Sequence, residues 1–283
     1  MEHPSEGACG VSDELGAAYL RHRWNSRIRD AVFLDAEPSA HPATVFLGGQ
    51  PAAGKTDTYG FITGTIANII PINGDDYRRF HPLYDLLLQY NPLDMPTATA
   101  SASAAWIAMA VEHANACGYS MIIEGTWRSD NVVLGESGNA KRLGRRTWAV
   151  IVATKPAISR IGTLTRYLDK LAIEQTARWT PPQAHDNTVE ALRGNVPIIA
   201  GNESIDRFTV IDRRGRVLAD GREQADKLEA SSVWQNRFDA SLTVEELRFA
   251  NNRLKHIDDL IHTLDITDEQ VLNAVEASRK ALA

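Results

Sequence analysis

The chain has 283 residues, 43% of them hydrophobic and 23% charged, with a formal net charge of −6. That length can bury a sizeable core, and the composition is ordinary for a globular protein. The acidic balance offers no basic field, so nucleic acid and membrane are not expected partners, and the absence of a long apolar run or a basic, apolar leader leads to an expected cytoplasmic setting.

In chain order, Ser12-Asp13-Glu14-Leu15 opens an expected helix to about Val32, with Leu15, Tyr19, Leu20, Trp24 and Ile28 on one face. Residues 1–42 read as a helical cover. Ala43 to Leu47 is an apolar run expected to be a buried strand. Behind it stands Gly48-Gly49-Gln50-Pro51-Ala52-Ala53-Gly54-Lys55-Thr56, which fits G-x-x-x-x-G-K-[ST]. In that loop backbone N–H groups and the lysine cradle nucleotide phosphates, and the helix from Lys55 to about Ile66 points its positive end at them. The chain is therefore expected to bind ATP or GTP through Gly49, Gln50, Ala52, Ala53, Gly54, Lys55 and Thr56, with the Thr56 hydroxyl on Mg²⁺.

Ala67 to Asn73 reads as a second strand, placed at a sheet edge by Pro71 and ending at Gly74-Asp75-Asp76. Carboxylates just past a strand's carboxyl end lie where open parallel sheets bind ligands. A helix around Pro82 to Tyr90 and one carrying Trp106, Met109, Ala110 and His113 follow, and Cys117, before Gly118, reads as a buried structural thiol. With Cys9 it makes neither a disulfide framework nor a zinc pattern. Tyr119 to Ile123 is a third strand, with Glu124-Gly125-Thr126-Trp127-Arg128 at its end, while Ser129 to Leu143 gives no readable signal. Thr147 to Ala153 is a fourth strand. Pro156 starts a helix to about Leu171 whose Arg160, Thr163, Arg166 and Lys170 share a face.

Thr180-Pro181-Pro182-Gln183 has the form of a capping box, and Phe208–Asp212 with Arg216–Asp220 reads as a terminal hairpin around Arg213-Arg214-Gly215. Thr243-x-x-Glu246 and Thr267-x-x-Gln270 open two last helices. Alternating strands and helices argue for an α/β fold with a mainly parallel sheet. The expected arrangement is a five-stranded P-loop kinase core over residues 43–228, in order 2-3-1-4-5, flanked by helices, with extra N- and C-terminal helices, the latter over 229–283, forming one structural unit.

Five ordered stretches together resemble the zeta toxins: the loop Gly48–Thr56, Asn73-Gly74-Asp75-Asp76-Tyr77-Arg78 with His81-Pro82, Ile123-Glu124-Gly125-Thr126-Trp127-Arg128, Gly162-Thr163-Leu164-Thr165-Arg166-Tyr167, and Ala177-Arg178-Trp179-Thr180-Pro181-Pro182-Gln183-Ala184-His185-Asp186. The resemblance runs from about Ala43 to Asp220. It implies a bacterial toxin–antitoxin kinase that moves the ATP γ-phosphate to the 3′-hydroxyl of the amino sugar in UDP-N-acetylglucosamine, inhibiting cell-wall synthesis, and it implies an antitoxin partner. Carried over residue by residue, it makes Asp75 the general base, places Glu124 and Thr126 with Arg128 on the nucleotide sugar, and makes Arg166 and Arg178 the clamp on the transferring phosphoryl group.

The residue types suit those roles. Phosphoryl transfer asks mainly for positioning and charge neutralisation, a hydroxyl nucleophile needs a nearby carboxylate, and a planar, always-charged guanidinium suits the transferring group. Without the resemblance, Glu124 could anchor a turn, Arg128 and Arg166 could be solvated, and Asp76 could cap a helix. His185 and Asp186 read as packing and hydrogen-bonding residues, since no further ligand completes a metal site. One position departs from the family's pattern: Ala108 stands where a glutamate contacts the sugar, with Glu112 one turn later. An antibiotic hydroxyl or an NAD-like dinucleotide therefore stays open as the acceptor, and so does a nucleotide-sensing module without turnover.

Overall fold

A computed structural model describes residues 15–174 and 176–282. Cys9 and the Ser12–Glu14 helix opening lie outside the described residues. The N-terminal helix runs as α1 (Ala17–Arg23), a π-helical turn (Trp24–Ile28) and α2 (Arg29–Phe33). Trp24 and Ile28 are buried, while Tyr19 lies at the exposed margin of the stripe.

Next come β1 (Ala43–Gly48), α3 (Lys55–Thr65), β2 (Ile70–Asn73), α4 (Gly74–Arg78), α5 (Tyr84–Tyr90), α6 (Met95–Ala98) and α7 (Ala100–Cys117). They are followed by β3 (Met121–Glu124), α8 (Asp130–Arg142), β4 (Arg146–Val152), α9 (Pro156–Glu174) and α10 (Pro182–Gly201). The chain closes with β5 (Arg207–Ile211), β6 (Val217–Gly221), α11 (Gln224–Asp239), α12 (Val244–Thr263) and α13 (Glu269–Lys280). The stretch that gave no sequence signal is α8, whose polar residues mask its helical period.

The sheet has six strands, in order β2-β3-β1-β4-β5-β6, rather than the five expected. The second arm of the hairpin adds the sixth by continuing the β5 ladder in antiparallel pairing. The other five strands keep the expected order and are parallel, with Pro71 on edge strand β2. All six residues of central β1 are buried, as expected of a strand covered on both faces. Its alternation divides the core. Val45 and Leu47 pack with Ile62 of α3 on one face, and Phe46 packs with Val133, Leu192 and Trp234 on the other.

Two further clusters hold the terminal helices. Trp24, Ile28 and Phe33 meet Trp106 of α7, whose indole Nε1 donates to the Leu20 carbonyl at 3.1 Å. On the opposite flank Ile158, Leu164 and Leu168 of α9 pack with Leu254, Ile257 and Val271 of α12 and α13.

The caps follow their local chemistry in part. Thr243 and Glu246 form the expected capping box of α12, and buried Lys155 donates to the Ser241 carbonyl at 2.6 Å and to Glu246 at 2.5 Å, pinning that helix end beside β4. For α13 the cap is Asp268, not Thr267: its carboxylate accepts from the Gln270 and Val271 N–H groups. Thr180 makes no cap either, because α10 starts at Pro182 behind Pro181 and the threonine hydroxyl is engaged elsewhere. Cys117 is half-buried, with its Sγ 3.8 Å from His113 Nε2.

Candidate active site

Parallel pairing brings three strand ends to one edge. Leu47 lies opposite Glu124, and Glu124 opposite Asn73, so the phosphate loop, the Gly74–Asp75 turn and Glu124 emerge side by side.

The loop needs unusual backbone at Gly49 (φ 149°) and Gly54 (φ 100°), where side chains are disfavoured. It is anchored from behind. Gln50 is fully buried, and its Nε2 donates to the Thr154 carbonyl at 2.6 Å and to Ser159 Oγ at 3.1 Å. Thr154 Oγ1 in turn donates to the Ala53 carbonyl at 2.6 Å. The Gln50 amide nitrogen is thus spent on the scaffold, while its buried Oε1 has no hydrogen-bond partner. Gly162 of α9 lets that helix approach, since a Cβ there would come within 3.1 Å of the Ala52 methyl. Ser159 also meets His185 Nε2 at 2.8 Å, and His185 pairs with Asp186, so both residues serve the packing behind the loop.

Lys55 Nζ donates to the Gly49 carbonyl at 2.8 Å and stands 3.8 Å from Glu124 Oε1. Burial lowers its pKa, Glu124 and Asp75 oppose that shift, and Arg166 and Arg178 add to it. All four groups are therefore close enough to share its field. Asp75 sits on the first turn of α4, whose cap is the Asn73 side chain accepting from the Asp75 N–H at 3.0 Å. Arg178 forms an ion pair with Asp75 Oδ2, and Arg78 Nε lies 3.4 Å from Oδ1. Burial would raise the Asp75 pKa, but Arg178, Arg78 and Arg166 outweigh it and hold the carboxylate below its usual value. Asp76 goes the other way, raised first by burial. The arginines thus separate two neighbours that composition cannot tell apart.

Arg166 projects from α9 and donates from Nη2 to Thr180 Oγ1 at 3.0 Å, which ties it to the segment carrying Arg178. Arg78 is itself fixed by bonds to the Pro96 carbonyl (2.5 Å) and Thr99 Oγ1 (2.6 Å). Tyr59, which no motif singled out, donates to Glu124 Oε2 at 2.6 Å, and Asn73 Nδ2 approaches the same oxygen at 3.4 Å. Nothing in the sequence around Tyr59 marks it, because the contact spans 65 positions.

Beyond Glu124 opens a cleft of about 770 Å³ between α7 and α8, lined in part by Glu124, Thr126, Trp127 and exposed Arg128. Ala108 and Glu112 both line it, so the departing position is on the cleft wall. Trp127, with φ 53°, lays its indole against Gly48 at the end of β1. For a cation, no group of three His, Cys, Asp or Glu side chains is gathered among the described residues. Mg²⁺ takes few ligands from protein, and the hydroxyl of exposed Thr56 at the start of α3 is a candidate for one of them.

The profile of the zeta toxin family matches residues 27–224. The chain belongs to the zeta toxin family. It is 30% identical over 187 residues to toxin PezT of Streptococcus pneumoniae, covering 65% of this chain and 74% of PezT. It is likewise 30% identical over 176 residues to toxin zeta of Enterococcus hirae, covering 62% of each chain. Among solved structures, the PezAT chromosomal toxin–antitoxin system of S. pneumoniae contains a chain that superposes with a TM-score of 0.74 at 25% identity, over 87% of this chain and 98% of that one. A chain of the AvrRxo1-ORF1:AvrRxo1-ORF2 complex with sulphate ions shares the fold, with a TM-score of 0.54 at 14% identity over 94% of this chain and 85% of that one. None of the described helices is long and apolar enough to cross a membrane.

Proposed function

We propose that this zeta toxin family kinase transfers the γ-phosphate of ATP to the 3′-hydroxyl of the amino sugar in UDP-N-acetylglucosamine, and so inhibits cell-wall synthesis. The observation that carries the reading is the gathering of Lys55, Asp75, Glu124, Arg166 and Arg178 at one part of the sheet edge, with a cleft of about 770 Å³ leading away from it.

In the proposed mechanism the phosphate loop and Lys55 hold the triphosphate, and Glu124, Thr126 and Arg128 hold the nucleotide sugar. Asp75 accepts the proton of the sugar hydroxyl as its oxygen bonds to the γ-phosphorus and the bond to the β,γ-bridging oxygen breaks, releasing ADP. Lys55, Arg166 and Arg178 neutralise the negative charge that spreads over the oxygens of the transferring group, in a setting where fixed donors act more strongly than in water. Mg²⁺ on Thr56 would supply further neutralisation of the phosphates.

Ala108 on the cleft wall favours one second reading, in which the chemistry is the same but the acceptor is an antibiotic hydroxyl or an NAD-like dinucleotide. Incubation with Mg²⁺·ATP and a mixture of nucleotide sugars, dinucleotides and aminoglycosides, read by mass spectrometry, decides between them. A gain of one phosphate on UDP-N-acetylglucosamine supports the first reading, and its absence there with a gain elsewhere replaces it. An antitoxin is the proposed protein partner, supported by the likeness to the PezAT system. Growth arrest on expression, relieved by a gene product encoded beside this one, would test it.

A further inference from the structure

The phosphate loop leaves β1 with β3 and β2 on one side of that strand and β4, β5 and β6 on the other. Asp75 and Glu124 stand at the ends of β2 and β3, and Arg166 and Arg178 share the field of Lys55 with them, so the γ-phosphate end of a bound triphosphate faces that side. The loop cradles the α- and β-phosphates while its lysine reaches the β- and γ-phosphates. The nucleoside, at the opposite end of the triphosphate, is therefore directed towards β4, β5 and β6.

The turn between β5 and β6 meets the loop on that side. A Cβ on Gly54 would lie 3.0 Å from Arg213 Cβ, and one on Gly215 would lie 3.0 Å from the Asp57 carbonyl oxygen, so the turn packs against both the loop and the first turn of α3. Buried Asp212 fixes its backbone, with Oδ1 accepting from the Arg214 and Arg216 N–H groups at 2.9 and 3.0 Å.

The Arg213 guanidinium lies over the ring of Phe249 on α12, with its Cζ 5.3 Å from the centroid, and that of Arg253, one turn further along, lies over the same ring at 5.4 Å. Ala250, Leu254 and Ile257 of α12 are buried against α9, whereas Phe249 is 40% exposed. Its place is set from the phosphate loop. Thr154 donates to the Ala53 carbonyl of the loop, and the next residue, Lys155, holds the N-terminal end of α12 through the Ser241 carbonyl and Glu246. Two successive residues thus keep the loop and the ring in register.

We infer, resting on the reading that the phosphate loop holds the donor triphosphate, that Arg213, Phe249 and Arg253 form the platform on which the donor's nucleobase stacks. The guanidinium of Arg213 offers a base a flat, positively charged face, and Phe249 with Arg253 keeps that plane from turning. The platform draws on α12, beyond the residues 27–224 that the zeta toxin profile matches. A C-terminal helix thereby completes the donor site.

The test is calorimetric titration of the full chain with Mg²⁺·ATP and with Mg²⁺·tripolyphosphate, which offers the loop three phosphates and no base. ATP should bind the wild-type chain at least about 10-fold more tightly, and Phe249→Ala should remove about 10-fold of ATP affinity, the scale of one stacked base. Arg213→Lys, which keeps the charge and loses the plane, should weaken ATP in the same way. Tripolyphosphate should bind both variants as it binds the wild type, which also reports that they are folded. Equal binding of the two ligands to the wild-type chain overturns the inference, as does an ATP preference that survives both substitutions. A parallel loss of both ligands in the variants overturns it too, since α12 would then only support the loop. The donor reading fails separately: if neither ligand binds the wild-type chain, the phosphate loop itself is misassigned and the platform falls with it, whereas equal binding of both leaves that reading standing.

Discussion

Arg178 and Asp75 are 103 positions apart in the chain, and the guanidinium of one pairs with a carboxylate oxygen of the other. The second oxygen of Asp75 faces Arg78, so both are directed by arginines held on different elements. A carboxylate placed in this way is oriented and ionised before any acceptor arrives, which is what a base for a sugar hydroxyl requires.

The first prediction concerns Asp75 as the proposed base. Asp75→Asn keeps the shape and the hydrogen-bonding reach but cannot take a proton. Turnover is expected to fall by about 10²- to 10⁴-fold while ATP affinity is retained. Parallel measurement of phosphoryl transfer and nucleotide binding checks it, and a variant with unchanged turnover would remove Asp75 from the base role.

The same ion pair has a pH signature. The arginines hold the folded pKa of Asp75 below the usual carboxylate range. A depressed folded pKa means that the carboxylate's contribution to stability is complete above the unfolded pKa and is lost as pH falls through the folded one. The melting-temperature gap between the wild-type chain and Asp75→Asn should hold steady from about pH 8 to about pH 5 and close only below about pH 4. A gap that closed near neutrality would point to a different titrating group.

Tyr59 holds Glu124 without reaching the cleft lining itself. Burial, and then Glu124, push its hydroxyl well above the usual tyrosine range, so it stays protonated and donates. Tyr59→Phe should cost about 0.5–1.5 kcal/mol of stability. It should also raise KM for the acceptor while leaving KM for ATP unchanged, a split visible in initial-rate kinetics with each substrate varied in turn.

Gly48 closes β1 against the Trp127 indole, where an added Cβ would lie 2.3 Å from ring atoms. The ring is buried, so it can move only by displacing its own neighbours. Gly48→Ala should destabilise the chain by about 1–3 kcal/mol through overpacking. Urea denaturation reads this directly, and a variant as stable as the wild type would show that the indole can shift.

The secondary structure was legible wherever a local rule acts alone. The apolar run of β1, the loop from Gly48 to Thr56, proline on edge strand β2 and the capping box at Thr243 are all found as expected, because each depends on residues within a few positions. The misreadings are local patterns overridden by a distant partner. Thr180 had the form of a cap, but Arg166 takes its hydroxyl. Helix α8 gave no signal because its polar residues face the cleft and solvent as much as the core.

The sequence by itself determined that strands and helices alternate, where the phosphate loop lies and which residue types stand after each strand. Backbone geometry and side-chain periodicity act over a turn or a few residues, and a sequence displays those directly. Tertiary structure alone decided that Leu47, Glu124 and Asn73 share one edge, that Arg178 and Arg78 choose Asp75 over Asp76, and that Tyr59 reaches Glu124. These relations join residues far apart in the chain, and they follow from strand register and from how α9 and its following segment pack against the sheet. No pattern within a single stretch of sequence encodes that packing.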